Sequence, residues 1–277
     1  MKKTSIIFSF LFIVLLFPLS MVGCGESKLS LSMPLGVWWW DNRLDDEYFD
    51  FAVKNGVDEI YYYTYFTESN ADFVAKAKDK GIETFALCGD YRWIENYQDF
   101  QEYIDDYRIF QANYPSSQFA GIHVDVEPHQ HPDFDSRRQE LITEYVEFVY
   151  RATTENSDIK FDFDIPFWLE DEITFQGNTK QAYKFVIDYA NRVFVMSYRD
   201  SASGMLSVAS EEIEYAFSLD KPIFLGAETG GEEDIVTFIQ EGRDYFYSQM
   251  ALLEKSLPYS NIGLSIHDIK RWKALKN

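Results

Sequence analysis

The 277-residue chain carries 46 Asp and Glu against 25 Lys and Arg, a formal net charge of −21. A surface so acidic repels phosphate, which excludes nucleic acid and an anionic membrane surface as partners. Contents of 46% hydrophobic and 18% aromatic residues exclude a disordered chain, and two cysteines exclude both a disulfide-stapled scaffold and a multi-cysteine zinc site.

The chain opens on Lys2 and Lys3, runs apolar from Ile6 to Leu19, and reaches Met21-Val22-Gly23-Cys24. A basic start, a short apolar stretch and a small-residue cleavage site predict a secretory signal over residues 1–23. The run is too short for an ordinary membrane span. Its last four residues resemble a bacterial lipobox. That resemblance implies cleavage before Cys24, a lipid on Cys24, and an extracytoplasmic protein anchored to a bacterial membrane. Losing the signal removes two lysines and no acid, so the remaining chain is more acidic still. Only Cys88 is then left, without an intrachain disulfide partner. Residues 24–34 read as a tether and 35–277 as one domain, close to the ~250 residues of a typical (β/α)8 barrel.

From Leu35 onward, short apolar β-type runs alternate with longer amphipathic stretches. The strand candidates are 35–40, 57–66, 82–88, 119–127, 159–166, 192–198, 221–227 and 261–267. Between them Phe49, Ala52 and Val53 make one apolar stripe, and Leu141, Tyr145, Phe148 and Val149 make another at helical spacing. Gly56 and Gly81 fall just past helix ends, where a left-handed residue closes the last turn. Eight such alternations predict the α/β class and a single-domain (β/α)8 TIM barrel. A doubly wound open sheet is the alternative. It needs a glycine-rich phosphate loop after its first strand, whereas this first strand ends Trp38-Trp39-Trp40-Asp41. No cofactor is expected.

Chemistry in such a barrel belongs at the carboxyl ends of the strands. In order, those ends offer Trp38, Trp39, Trp40 and Asp41; Tyr63 and Tyr65; Asp90; His123, Asp125 and Glu127; Asp162, Asp164 and Trp168; Tyr198, Arg199 and Asp200; Glu228; and His267 and Asp268. The fourth strand carries most of the signal. In Gly121-Ile122-His123-Val124-Asp125-Val126-Glu127-Pro128, period two puts His123, Asp125 and Glu127 on one face, toward the barrel interior. Charges buried there are costly unless they are paired or used. Stacked carboxylates push their pKa values apart, which leaves one protonated and able to act as a general acid.

Here the chain resembles the family 18 glycoside hydrolases. Their fourth strand carries D-x-x-D-x-D-x-E, and Asp125-Val126-Glu127 matches its end, with Ala120 and His123 in the two earlier aspartate positions. Their sixth strand carries M-x-Y-D, matched by Met196-Ser197-Tyr198 with Arg199 in the last position. Lys221-Pro222-Ile223-Phe224-Leu225-Gly226 looks like their seventh strand, and Asp164-Ile165-Pro166 like the end of their fifth. The resemblance implies that Glu127 protonates the glycosidic oxygen, Asp125 orients the substrate's acetamido group as nucleophile, and Tyr198 steadies that group. Glu127-Pro128 with Glu228-Thr229-Gly230 also resembles the retaining barrel hydrolases that pair glutamates on strands four and seven, Glu127 as acid/base and Glu228 as nucleophile.

Two further readings stay open. His123, Asp125 and Glu127, with His129, His131 and His267, could hold a divalent metal in a metal-dependent hydrolase. A noncatalytic barrel could simply bind carbohydrate at the surface. Alternation sends Trp38 and Trp40 one way and Trp39 the other. One face can then offer sugar-stacking platforms together with Tyr63 and Trp168, while Asp90, His123, Asp164, Arg199 and His267 complete a substrate-binding rim. Tyr91, Trp93, Tyr97 and Tyr103 are expected to cover the barrel after strand three. The acid runs Asp45-Asp46-Glu47, Glu211-Glu212 and Glu232-Glu233-Asp234 are expected at helix starts. An acidic, aromatic cleft suits a neutral or cationic carbohydrate and disfavours uronic-acid or sulfated polymers.

Overall fold

The computed structural model describes residues 28–41, 43, 45–231 and 235–277. The secretory signal, Cys24 and the run Glu232-Glu233-Asp234 lie outside these described residues. All eight predicted strands form: β1 Leu35–Trp39, β2 Glu59–Tyr63, β3 Glu83–Cys88, β4 Ile122–Val124, β5 Phe161–Pro166, β8 Arg192–Met196, β9 Ile223–Glu228 and β10 Ile262–His267. They close a parallel barrel in the order β1-β2-β3-β4-β5-β8-β9-β10, with β10 pairing back onto β1. An antiparallel hairpin, β6 Glu172–Phe175 and β7 Asn178–Gln181, follows β5 and was not expected. Its turn has Gln176 and Gly177 at positive φ.

Helices α1 Asp46–Lys54, α2 Glu68–Asp79, α3 Tyr97–Asn113, α4 Phe134–Glu155, α5 Ala182–Tyr189, α6 Ala202–Val208, α7 Ser210–Ser218, α8 Arg243–Ser256 and α9 Ile269–Ala274 surround the barrel. The expected stripe of α4, Leu141, Tyr145, Phe148 and Val149, is buried. Each such side chain taken from water contributes about 1.5–3 kcal/mol. On α1, Phe49 and Ala52 are buried while Val53 faces outward. Asp45 caps α1 by accepting the Glu47 N–H, Glu211 and Glu212 lie in the first turn of α7, and Gly56 and Gly81 take φ of 70° and 76° just past α1 and α2. Tyr91–Ile94 forms a 3₁₀ turn, and Trp93, Tyr97 and Tyr103 pack around Phe100 and Phe148 outside the barrel, as the covering segment should. Residues from Leu29 to Met33 are not a free tether. Leu29 and Met33 are buried, the Leu29 N–H donates to Asn55 Oδ1 at 3.0 Å, and Glu254 Oε1 accepts the Met33 N–H at 2.9 Å.

Inward-facing residues fill the barrel in layers. At the amino end of the strands Arg192 meets Asp162 through two hydrogen bonds of 2.9 and 2.6 Å and Glu59 at 2.6 Å. Its guanidinium lies 4.6 and 5.0 Å from the Phe85 and Phe224 ring centres. Above this plug sit Trp38, Tyr61, Phe85, Leu87 and Phe194. Gly36 and Gly263 make the room. A Cβ on Gly36 would stand 2.0 Å from the Tyr61 hydroxyl, and one on Gly263 2.3 Å from Phe224. Asp162, read from sequence as a strand-end group, therefore belongs to the floor. It lies two residues before Asp164, and two residues of strand are about 6.6 Å, roughly one layer.

Candidate active site

β4 is only three residues long, but the chain stays extended after it. The Asp125 N–H donates to the Cys88 carbonyl at 2.8 Å, and Glu127 keeps β dihedrals of −111° and 104°. Period two therefore persists through Asp125 to Glu127. Pro128 then starts a 3₁₀ turn over Pro128–Gln130. That turn bends the chain back, so Gln130 Nε2 donates to Glu127 Oε1 and His129 Nε2 sits 3.3 Å from Oε2. The Glu127 side chain keeps 17% of its surface exposed. His129 packs edge-on against Trp168 at 5.3 Å. Trp168 thus reaches the site through His129, while Arg138 lies 5.0 Å from its ring centre. Gln130 was missed in sequence, and only its position behind a proline-started turn could have signalled it.

Behind Glu127 lies a pair of acids. Asp164, at the end of β5, is fully enclosed. Its Oδ2 accepts the Trp38 indole N–H at 3.1 Å and meets His123 Nε2 at 2.9 Å. Asp125 keeps some surface toward the mouth but buries its Oδ1. Burial first, and then the charges of Asp164 and Glu127, push Asp125 well above the usual carboxylate range. Asp164 is raised as well, by burial chiefly, against the Trp38 hydrogen bond and with the Glu127 and Asp162 charges adding to the rise. The Oδ1 atoms of both are buried without a hydrogen-bond partner. An unmatched buried acceptor costs about 1–3 kcal/mol.

His123 corrects the sequence reading. It points inward as expected but has no exposed surface, stacked on Tyr61 at 4.1 Å and against Phe194 at 4.5 Å. Burial pulls its imidazole down to about 3, so with Asp164 raised the two form a neutral hydrogen-bonded pair and not an ion pair. His123 supports the acids from below and cannot touch a substrate.

On the opposite wall Glu228 ends β9. Its Oε1 accepts the Gly230 N–H at 2.6 Å, and His267 Nδ1 donates to its Oε2 at 2.7 Å. The Trp40 indole N–H in turn donates to His267 Nε2 at 2.9 Å. An indole can only donate, so Nε2 carries a lone pair and the arrangement holds the neutral Nδ1–H tautomer. Burial lowers the His267 pKa, but the hydrogen bond and charge of Glu228, with Asp268 and Asp125, outweigh it and raise it above the ordinary value. Tyr198 stacks on His267 at 6.0 Å, and burial followed by the surrounding carboxylates raises its phenol, which keeps the O–H as a donor.

The remaining predicted rim residues divide. Trp40 and Tyr63 lie together at 5.7 Å on the mouth. Asp90 is occupied by its own turn, accepting the Arg92 N–H and pairing with the Arg92 guanidinium. Arg199 lies over Phe167 at 4.5 Å and donates to the Tyr198 carbonyl. The four histidines go to four different carboxylates: His123 to Asp164, His129 to Glu127, His131 to Glu95 and His267 to Glu228. Their rings do not converge on one point, and among the described residues no three metal-ligating side chains gather.

Three solved structures share this barrel. The spore cortex-lytic enzyme SleL of Bacillus cereus is 11% identical, with 87% of this chain and 73% of that one aligned at a TM-score of 0.53. A chitinase of Rhizomucor miehei is 12% identical over 86% and 95% at 0.51, and an intracellular xylanase of Thermoanaerobacterium saccharolyticum 14% identical over 85% and 85% at 0.51. The chain spans 52% of the length of SleL from Bacillus megaterium. No family model matches the sequence, and no curated protein matches it. At these identities the likeness is one of fold: the chain is a closed (β/α)8 barrel.

Proposed function

We propose that this barrel hydrolyses O-glycosidic bonds of an extracellular polysaccharide or glycan, with Glu127 as general acid/base. The observation that carries the reading is the buried, unpartnered Oδ1 of Asp125 behind the part-exposed Glu127. Oδ1 is enclosed where it stands, so the Asp125 carboxyl turns toward the mouth to meet a substrate N–H, which satisfies that acceptor. The mechanism follows the family 18 resemblance. Glu127 gives its proton to the glycosidic oxygen as the bond to the anomeric carbon breaks. Asp125 accepts the N–H of the sugar's acetamido group, and the acetamido oxygen attacks the anomeric carbon. Tyr198 donates its O–H to that group. Water then opens the cyclic intermediate while Glu127 takes back a proton. Asp164, held by Trp38 and His123, adds to the field that raises Asp125. The substrate is neutral or cationic, and the enzyme works outside the cytoplasm, held by a lipid on Cys24.

The test is turnover by the Glu127→Gln protein across a panel of glycans. The expected loss is about 10²–10⁴-fold, the usual worth of a positioned general acid. Undiminished release of reducing ends defeats the assignment. Glycan retention without release by either protein supports the binding-only reading.

The paired-glutamate reading is kept because both oxygens of Glu228 are held by donors from fixed backbone and ring positions. It predicts a covalent fluorosugar adduct on Glu228. Substrate assistance predicts inhibition by a thiazoline analogue of N-acetylglucosamine.

A further inference from the structure

A cleft of about 370 Å³ opens beside the mouth, between the ends of β1 and β2 and the start of α9. Its walls include Trp40, Tyr48, Tyr63, Tyr65, Asp41 and Lys270. Its volume is in the range of small-ligand sites, roughly 300–1,000 Å³. Three of its rings make a staircase leading out of the site. Trp40 and Tyr63 are tilted by 44° at 5.7 Å, and Tyr63 and Tyr65 meet edge-on at 5.3 Å. The Tyr65 hydroxyl donates to that of Tyr63 at 3.3 Å. Tyr65 leaves 63% of its surface exposed, so its ring face is open to a ligand in the cleft. Trp40 is shared: one edge donates to His267 at the site, and the ring lines the cleft.

The charge in the cleft is already compensated, although the protein as a whole is strongly acidic. Asp41 takes the Arg43 guanidinium through bonds of 2.9, 3.1 and 2.6 Å, which holds its carboxyl down to about 2. Asp268 accepts the N–H groups of Lys270 and Arg271 at 3.0 and 3.1 Å, with the Arg271 guanidinium 3.5 Å away. Lys270 adds a cation to the lining. No lining carboxylate is left over for an ammonium group. Beyond about 8 Å the field of the remaining acids is screened at physiological salt.

We infer that this cleft is a subsite for an uncharged pyranose of the glycan, adjoining the scissile bond, and that it selects against a free amino sugar. The inference rests on the hydrolase reading for its placement and narrows the substrate from neutral or cationic to uncharged at this position. A ring entering here stacks on Trp40 and Tyr65, which are polar at their edges and apolar on their faces.

The test uses the Glu127→Gln protein, titrated calorimetrically with tetra-N-acetylchitotetraose, with xylotetraose, and with the fully deacetylated chitosan tetramer in a mildly acidic buffer where its amines are charged. At least one uncharged tetraose should bind, the charged tetramer at least about tenfold more weakly. Adding Tyr65→Ala should weaken the uncharged ligand about tenfold, the equivalent of 1.4 kcal/mol. Tyr65 is exposed, so an unchanged thermal melt is expected to accompany that loss. Equal binding by the Tyr65→Ala protein, equal binding of the charged tetramer, or no binding of either uncharged tetraose overturns the inference. Turnover by Glu127→Gln is scored separately, so failure of the hydrolase reading is distinguishable from failure of the subsite.

Discussion

His267 divides its two nitrogens between the two strands that flank its own. Nδ1 gives a proton to Glu228 and Nε2 takes one from Trp40. The Trp40 bond exists only with the unprotonated Nε2, so it favours the neutral ring. Trp40→Phe keeps an aromatic face and deletes that donor. The neutral form loses stabilisation, so the His267 titration should move to higher pH in an NMR pH series. A downward shift would mean that the Trp40 bond does not set the tautomer. The same residue shows the limit of sequence reading. His267, Glu228 and Trp40 were each legible at a strand end, but strand one is far in the chain from strands seven and eight, and only ring closure brings Trp40 into bonding distance of His267. His123 shows the converse. Its inward direction followed from period two, but its depth did not, because depth depends on Trp38, Tyr61 and Phe194 on three other strands.

At the level of elements, the carboxyl end of strand four depends on its neighbour. Gly89 follows β3, and a Cβ there would lie 2.0 Å from the Asp125 carbonyl oxygen. That atom is backbone and cannot rotate away. Gly89→Ala must therefore shift the chain carrying Asp125 and Glu127. Misplacement of about 1 Å can cost 10²-fold in rate, and overpacking costs roughly 1–3 kcal/mol. Steady-state kinetics and a urea midpoint would read both, and wild-type activity in the variant would show that the strand end tolerates displacement. The strands themselves were legible because each apolar run is short and ends in polar residues. The β6–β7 hairpin was not. In Glu172–Phe175 only Ile173 and Phe175 turn to the core, and Asn178–Gln181 has no apolar residue, so the two short runs are too brief to reveal a period.

For the whole molecule, the Arg192 plug ties three strands together across the floor. Deleting one member of a buried charge group leaves the others uncompensated, at about 3–5 kcal/mol. Arg192→Met should lose that much stability in urea denaturation, by stranding Asp162 and Glu59. A loss under about 1 kcal/mol would show that water reaches the floor. The plug also sets direction: it shuts one end of the barrel, so whatever enters does so from the end bearing Glu127 and Glu228. The segment from Leu29 to Met33 is fastened near that closed end, to Asn55 just after α1 and to Glu254 in the last turn of α8. Cys24 and Leu29 are five positions apart, at most about 18 Å of chain. A lipid on Cys24 would therefore moor the molecule by its base. The open mouth would face outward, toward polymers of the surroundings, and away from the cell's own bilayer.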